Sequence, residues 1–124
     1  MDRILIVDDS PSCALINQRF LQEAGFSTET VHSGREGIDR LEQGGFDLVL
    51  MDVVMPELNG FQATREITRN PKTAHIPVVI VSTKGEDSDK VWGLRQGAVG
   101  YLEKPVNKER LLAEVRRALE TKAA

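Results

Sequence analysis

Three short runs of the chain are almost wholly apolar: Ile4-Leu5-Ile6-Val7, Leu48-Val49-Leu50-Met51 and Val78-Val79-Ile80-Val81. Continuous Val- and Ile-rich runs of about four residues, bounded by polar residues, are the signature of parallel strands buried on both faces. An amphipathic sheet with one wet face would alternate instead. Two further stretches complete the set. Thr28-Glu29-Thr30-Val31 is mixed and suits an edge strand, and Gly100-Tyr101-Leu102 is a short fifth strand at the other edge.

Helical segments separate these runs. The first opens at Asp9-Ser10-Pro11, with Ser10 as N-cap and Pro11 at the first helical position. Leu15, Ile16, Phe20 and Ala24 recur along it at near-helical spacing, and Gly25 ends it. The second runs from about Gly34 to Gln43, with Ile38 and Leu41 inward and Gly44-Gly45 as the stop. A third follows Asn59-Gly60, carries Phe61, Thr64 and Ile67 on one face and ends before Pro71. The fourth starts near Asp87, with Val91, Leu94 and Ala98 on one side and Gly97 closing it. The fifth begins about Lys108 with an apolar stripe of Leu111, Leu112, Val115 and Leu119. Five strands alternating with five helices imply right-handed crossovers and an α/β, doubly wound (βα)5 sandwich on a parallel sheet. With no linker or repeat in 124 residues, residues 1–124 are expected to form one domain.

In open parallel sheets, ligands bind beyond the carboxyl ends of the strands. Asp8 and Asp9 follow the first apolar run, Asp52 the third, Ser82 and Thr83 the fourth, and Glu103-Lys104-Pro105 the fifth. With strand order 2-1-3-4-5, three carboxylates, a hydroxyl and an ammonium converge on one rim. Two carboxylates about 4 Å apart repel by roughly 4 kcal/mol at an effective dielectric near 20. Three together either take up a proton or hold a cation. Mg²⁺ or Mn²⁺ fits an all-oxygen site of this kind. A carboxylate can also attack phosphorus to give an aspartyl phosphate, with the metal and a lysine stabilising charge on the transferring group. The plainer alternatives are an acidic turn that caps the first helix, a turn aspartate and a surface lysine.

The segments Val7-Asp8-Asp9-Ser10, Met51-Asp52-Val53-Val54-Met55-Pro56, Asn59-Gly60, Ile76-Pro77 through Ser82, and Gly97-Ala98 through Lys104-Pro105 resemble the landmarks of response-regulator receiver domains, in that family's order. The resemblance covers nearly the whole chain and implies a flavodoxin-like fold. It makes Asp52 the phosphoacceptor, and Asp8, Asp9, Asp52 and the backbone carbonyl of Val54 the Mg²⁺ ligands. Ser82 would hydrogen-bond the phosphoryl group, Lys104 would contact it, and Tyr101 would turn inward as Ser82 is drawn toward the phosphate. The Lys104-Pro105 bond is expected to be cis. The implied donor is a histidine kinase or phosphotransfer protein, and the implied output is an unidentified protein met through the surface of the fourth helix, fifth strand and fifth helix. Beyond its own phosphorylation and slow dephosphorylation, no enzymatic activity is implied. Gly60 through Arg65, Val81 through Lys84 and Asp89 through Gly93 are similar to receivers of type IV pilus chemotaxis-like systems, implying control of twitching or phototactic motility.

The chain departs from the common pattern at Val54, Thr83 and Lys84. Val54 offers no polar side chain to a hydrolytic water, so a long-lived phosphate is expected. A dehalogenase-like phosphatase would want a second acid at that same position, and a pseudo-receiver would lack the intact cluster. No G-x-G-x-x-G follows the first run, which excludes a dinucleotide domain of that kind. Trp92 is expected at the surface or half-buried. Cys13 reads as an ordinary helix residue, His32 and His75 as surface residues, and the basic residues of the last helix as a solvated face. A net charge of −3 argues against a nucleic-acid partner. No run approaches the roughly 18 apolar residues of a membrane span, and one cysteine allows no internal disulfide. A cytoplasmic location is the expectation.

Overall fold

The computed structural model describes residues 2–123, with side chains to residue 121. Its strands are β1 (Arg3–Val7), β2 (Ser27–Val31), β3 (Leu48–Met51), β4 (Val78–Ser82) and β5 (Gly100–Glu103). They alternate with α1 (Pro11–Glu23), α2 (Gly34–Glu42), α3 (Gly60–Arg69), α4 (Asp87–Arg95) and α5 (Lys108–Ala123). Every strand pairing is parallel and the order is β2-β1-β3-β4-β5, so the two less apolar strands are the edges, as their composition predicts. The register sets Ile4 beside Leu48 and Val49 beside Val78, which levels the strand ends along one rim.

Side chains alternate across a strand, so each apolar run feeds two cores. Leu5, Val7, Val49, Met51, Val78 and Ile80 pack with Ile38, Leu41, Ala63 and Ile67 of α2 and α3. Ile4, Ile6, Leu48, Leu50, Val79 and Val81 pack on the opposite face with Leu21 of α1 and Leu111, Val115 and Ala118 of α5. The helix starts are capped as the residue types require. Ser10 accepts from the Cys13 N–H, Ser33 from the Glu36 N–H, and Asn59 and Gln62 form a reciprocal capping box.

Two helices present different faces from those their apolar residues imply. In α1 the buried line is Ala14, Asn17 and Leu21, while Leu15 and Ile16 are exposed. In α4 only Gly93 is buried, and Val91, Trp92 and Leu94 are about half exposed. Gly93 is there because a Cβ would lie 2.9 Å from Ile80 Cδ1 and 3.0 Å from Tyr101 Cδ2. Ala98 is buried, yet it lies past the end of α4 rather than on its face. We predict that Leu111→Ala costs about 2–5 kcal/mol in urea unfolding. Leu15→Ala should cost less than about 0.5 kcal/mol; similar losses for the two would contradict this packing.

Candidate functional site

The carboxyl ends of β1, β3 and β4 and the turn after β5 meet at one rim. Asp8 follows β1, and its N–H donates to the Val31 carbonyl of β2 at 3.1 Å. Asp52 follows β3, and its N–H donates to the Val7 carbonyl of β1 at 2.9 Å. Both side chains are buried, whereas Asp9 is exposed. One oxygen from each of Asp8, Asp9 and Asp52 lies within 4.8 Å of the others. An all-oxygen, anionic set of this kind, with two of its three members buried, can hold a hard divalent cation.

Lys104 reaches the cluster from the turn after β5. Its Nζ donates to Asp8 Oδ2 at 3.0 Å and to Asp52 Oδ1 at 3.4 Å. The backbone brings it there, since the Lys104 N–H donates to the Ser82 carbonyl at 2.8 Å and the Lys104-Pro105 bond is cis. Asp8 Oδ1 is used separately, accepting the Ser10 N–H at 2.9 Å as α1 begins. His32 Nδ1 lies 3.1 Å from the Asp8 carbonyl oxygen, although the ring is exposed.

The electrostatics follow from this crowding. Burial, then the negative charge of Asp8, push the Asp52 carboxyl up to about 6, and the Lys104 ammonium only partly offsets them. For Lys104, burial opposes the charge, but the hydrogen bond to Asp8 and the charges of Asp52 and Asp8 outweigh it and raise its pKa. Asp52 is therefore held in its charged form with difficulty, and any added cation relieves the repulsion.

Ser82, rather than Thr83, is the buried hydroxyl at the end of β4; Thr83 is exposed. The Lys84 N–H donates to Ser82 Oγ at 3.1 Å, and the Tyr101 hydroxyl donates to the Lys84 carbonyl at 2.5 Å. The Lys84 backbone thus joins Ser82 to Tyr101, a link that no side-chain pattern announces. Tyr101 is half-buried, and burial raises its phenol pKa. Val54 sits beside the cluster with its side chain about half exposed. The neighbouring Val53 carbonyl accepts the N–H groups of Met55 at 3.0 Å and Gly60 at 2.9 Å, so its acceptor capacity is taken up within the loop.

Two further residues shape the site. Gly60 opens α3 directly under Asp52, where a Cβ would fall 2.0 Å from the Asp52 carbonyl oxygen. The Asn59-Gly60 pair marked the place in the sequence without its reason. Glu57, in the loop between Asp52 and α3, has φ of 67°, a left-handed conformation that disfavours a non-glycine side chain. Nothing in its residue type signals this.

Residues 4–116 match the response regulator receiver domain family. The chain is 49% identical over 119 residues to protein PilH of Pseudomonas aeruginosa, covering 96% of this chain and 98% of that one. It is 37% identical over 118 residues to regulatory protein VanRc of Enterococcus gallinarum, covering 95% of this chain but only 50% of that protein. Among solved structures it is similar to the chemotaxis protein CheY4 of Vibrio cholerae, with a TM-score of 0.89, 33% identity and coverage of 95% and 98%. A putative response regulator from Chloroflexus aurantiacus superposes with a TM-score of 0.92 at 28% identity, covering 96% and 98%.

Proposed function

The chain belongs to the response regulator receiver domain family, as a receiver of two-component signalling, and from that premise we propose that Asp52 accepts a phosphoryl group from a phosphohistidine of a partner kinase or phosphotransfer protein. The observation that carries this reading is the convergence of Asp8, Asp9, Asp52 and Lys104 on one rim. An Asp52 Oδ attacks phosphorus, the O–P bond forms, and the P–N bond breaks with its electron pair retained on the imidazole nitrogen. Asp8, Asp9, Asp52 and the Val54 carbonyl would hold Mg²⁺ or Mn²⁺. When bound, the ion neutralises charge on the phosphoryl oxygens.

The chain's own groups do the rest. Lys104 exchanges its contact with Asp52 for one with a phosphoryl oxygen. The Ser82 hydroxyl donates to another, which alters its link through the Lys84 backbone to Tyr101. Tyr101 then turns further inward, shifting the population of the α4-β5-α5 surface that an output partner reads. The chain modifies itself and turns over no separate substrate. The likeness to PilH supports a role in type IV pilus motility or phototaxis, in the cytoplasm.

Incubation with acetyl phosphate and Mg²⁺, followed by mass measurement of the peptide containing Asp52, tests the reading. A phosphoryl mass gain there is expected, and no gain, or a gain elsewhere, would overturn it. The half-exposed Val54 side chain leaves a hydrolytic water without a polar partner at this position. Val54→Asn is therefore expected to speed loss of the phosphate about tenfold, about 1.4 kcal/mol in barrier. An unchanged or slower loss contradicts that account.

A further inference from the structure

α2 and α3 pack on the same face of the sheet, and the groove between them has a volume of about 440 Å³. Buried Ile38 lines its floor, and Arg35 of α2 and Arg65 and Arg69 of α3 bring three guanidinium groups to it. In a chain with a net charge of −3, this is a local excess of positive charge.

The two carboxylates beside them do not cancel it, and each already has a partner. Arg35 Nη2 lies 3.4 Å from Glu66 Oε2, and Glu42 Oε2 accepts the Asn70 amide N–H at 2.7 Å. Arg65 and Arg69 are left, and among the described residues their guanidinium groups make no ion pair or hydrogen bond. Four residues apart on α3, they lie on one side of the helix, one turn from each other. Like charges at that spacing destabilise a helix, and an anion between them removes the penalty. The helix dipole favours a basic residue in the last turn, which accounts for Arg69 but not for Arg65.

A planar guanidinium presents a fork of N–H groups that matches phosphate oxygens two at a time. Two forks one turn apart call for two anionic groups joined closely together. The groove is also concave and within the size range of small-molecule sites, which suits a compact ligand better than a flat protein face.

We propose that the α2–α3 groove binds a small molecule carrying a diphosphate group, held by Arg65 and Arg69. Arg35 adds a third contact, because a guanidinium has N–H donors to spare beyond its pairing with Glu66. The groove shares no residue with the acidic rim, so its occupancy needs neither a divalent cation nor phosphorylation of Asp52.

Inorganic pyrophosphate is the probe, titrated into the whole ¹⁵N-labelled chain in EDTA at constant ionic strength, with no phosphodonor present. Expected are saturable NMR shifts of the Arg65 and Arg69 side-chain N–H groups and of the Ile38 and Glu66 backbone amides. The dissociation constant should be about 1 mM or tighter, with orthophosphate about tenfold weaker. Arg65→Gln and Arg69→Gln should each weaken pyrophosphate binding by about tenfold. Both side chains are exposed, so these variants keep their fold. Arg19→Gln, at an exposed position of α1, changes the net charge equally and should leave the affinity as it was. Hexaglutamate represents the other occupant, an acidic peptide segment, and should bind more weakly than pyrophosphate. The proposal is overturned by absence of saturable shifts up to about 10 mM, by shifts clustered elsewhere, or by orthophosphate or hexaglutamate binding as tightly as pyrophosphate. A loss on Arg19→Gln as large as on Arg65→Gln overturns it too, since general charge attraction would then explain the binding.

Discussion

Asp52→Asn is expected to abolish the mass gain from acetyl phosphate and, with divalent cations removed, to make the chain more resistant to urea at pH 8. Both effects come from the same crowding. The proposed phosphoacceptor is the Asp52 carboxylate, and an amide cannot replace it as a nucleophile. For stability, the sign follows from its raised pKa. Asp52 ionises near 3.8 in the unfolded chain and at about 6 in the fold. Between those values the native state binds more protons, so stability falls as pH rises through the window. Above about pH 7 the whole penalty is present. Asn carries no charge to desolvate beside Asp8, and Lys104 retains its 3.0 Å bond to Asp8. The variant's advantage is therefore largest at pH 8 and disappears below about pH 4, where the carboxyl is protonated in both states. Urea titrations at pH 4, 6 and 8 in EDTA measure this. An advantage that grew toward low pH would contradict the assigned cause.

Gly60→Ala is the second large effect. The added carbon would fall 2.0 Å from the Asp52 carbonyl oxygen and 2.8 Å from Val53 Cα. These are backbone atoms of the loop that carries Asp52, so relief requires moving α3 or the end of β3. It would also stretch the 2.9 Å bond from the Gly60 N–H to the Val53 carbonyl. Overpacking against fixed backbone costs roughly 3 kcal/mol or more. If the chain still folds, the displaced Asp52 should weaken Mn²⁺ binding by at least about tenfold, the equivalent of 1.4 kcal/mol. Calorimetric titration with Mn²⁺ alongside urea unfolding checks both. Wild-type values in each would mean that the close approach is not required.

Most of the architecture was legible because its signals are local. The runs Ile4–Val7, Leu48–Met51 and Val78–Val81 announce buried parallel strands, and Ser10-Pro11, Ser33 and Asn59-Gly60 announce helix starts. The strand ends then place Asp8, Asp52 and Lys104 on one rim, as their positions after apolar runs imply. Helix phase was less legible. Leu15 and Ile16 are apolar but point away from the sheet, and Asn17 points toward it. In α4, residue polarity carries almost no facing information, because the buried face is set by Gly93 meeting Ile80 and Tyr101.

Residue order alone determined the strand and helix sequence, the two edge strands and the set of rim residues. Each of these depends on periodicity and punctuation within a few neighbouring positions. Only the folded chain decided that Gly60 must lie against Asp52, that the Lys84 backbone ties Ser82 to Tyr101, and that Asn17 rather than Leu15 or Ile16 turns inward. Those depend on how a twisted sheet sets the height and rotation of each helix. That balance is struck between residues distant in the chain, and no local pattern encodes it.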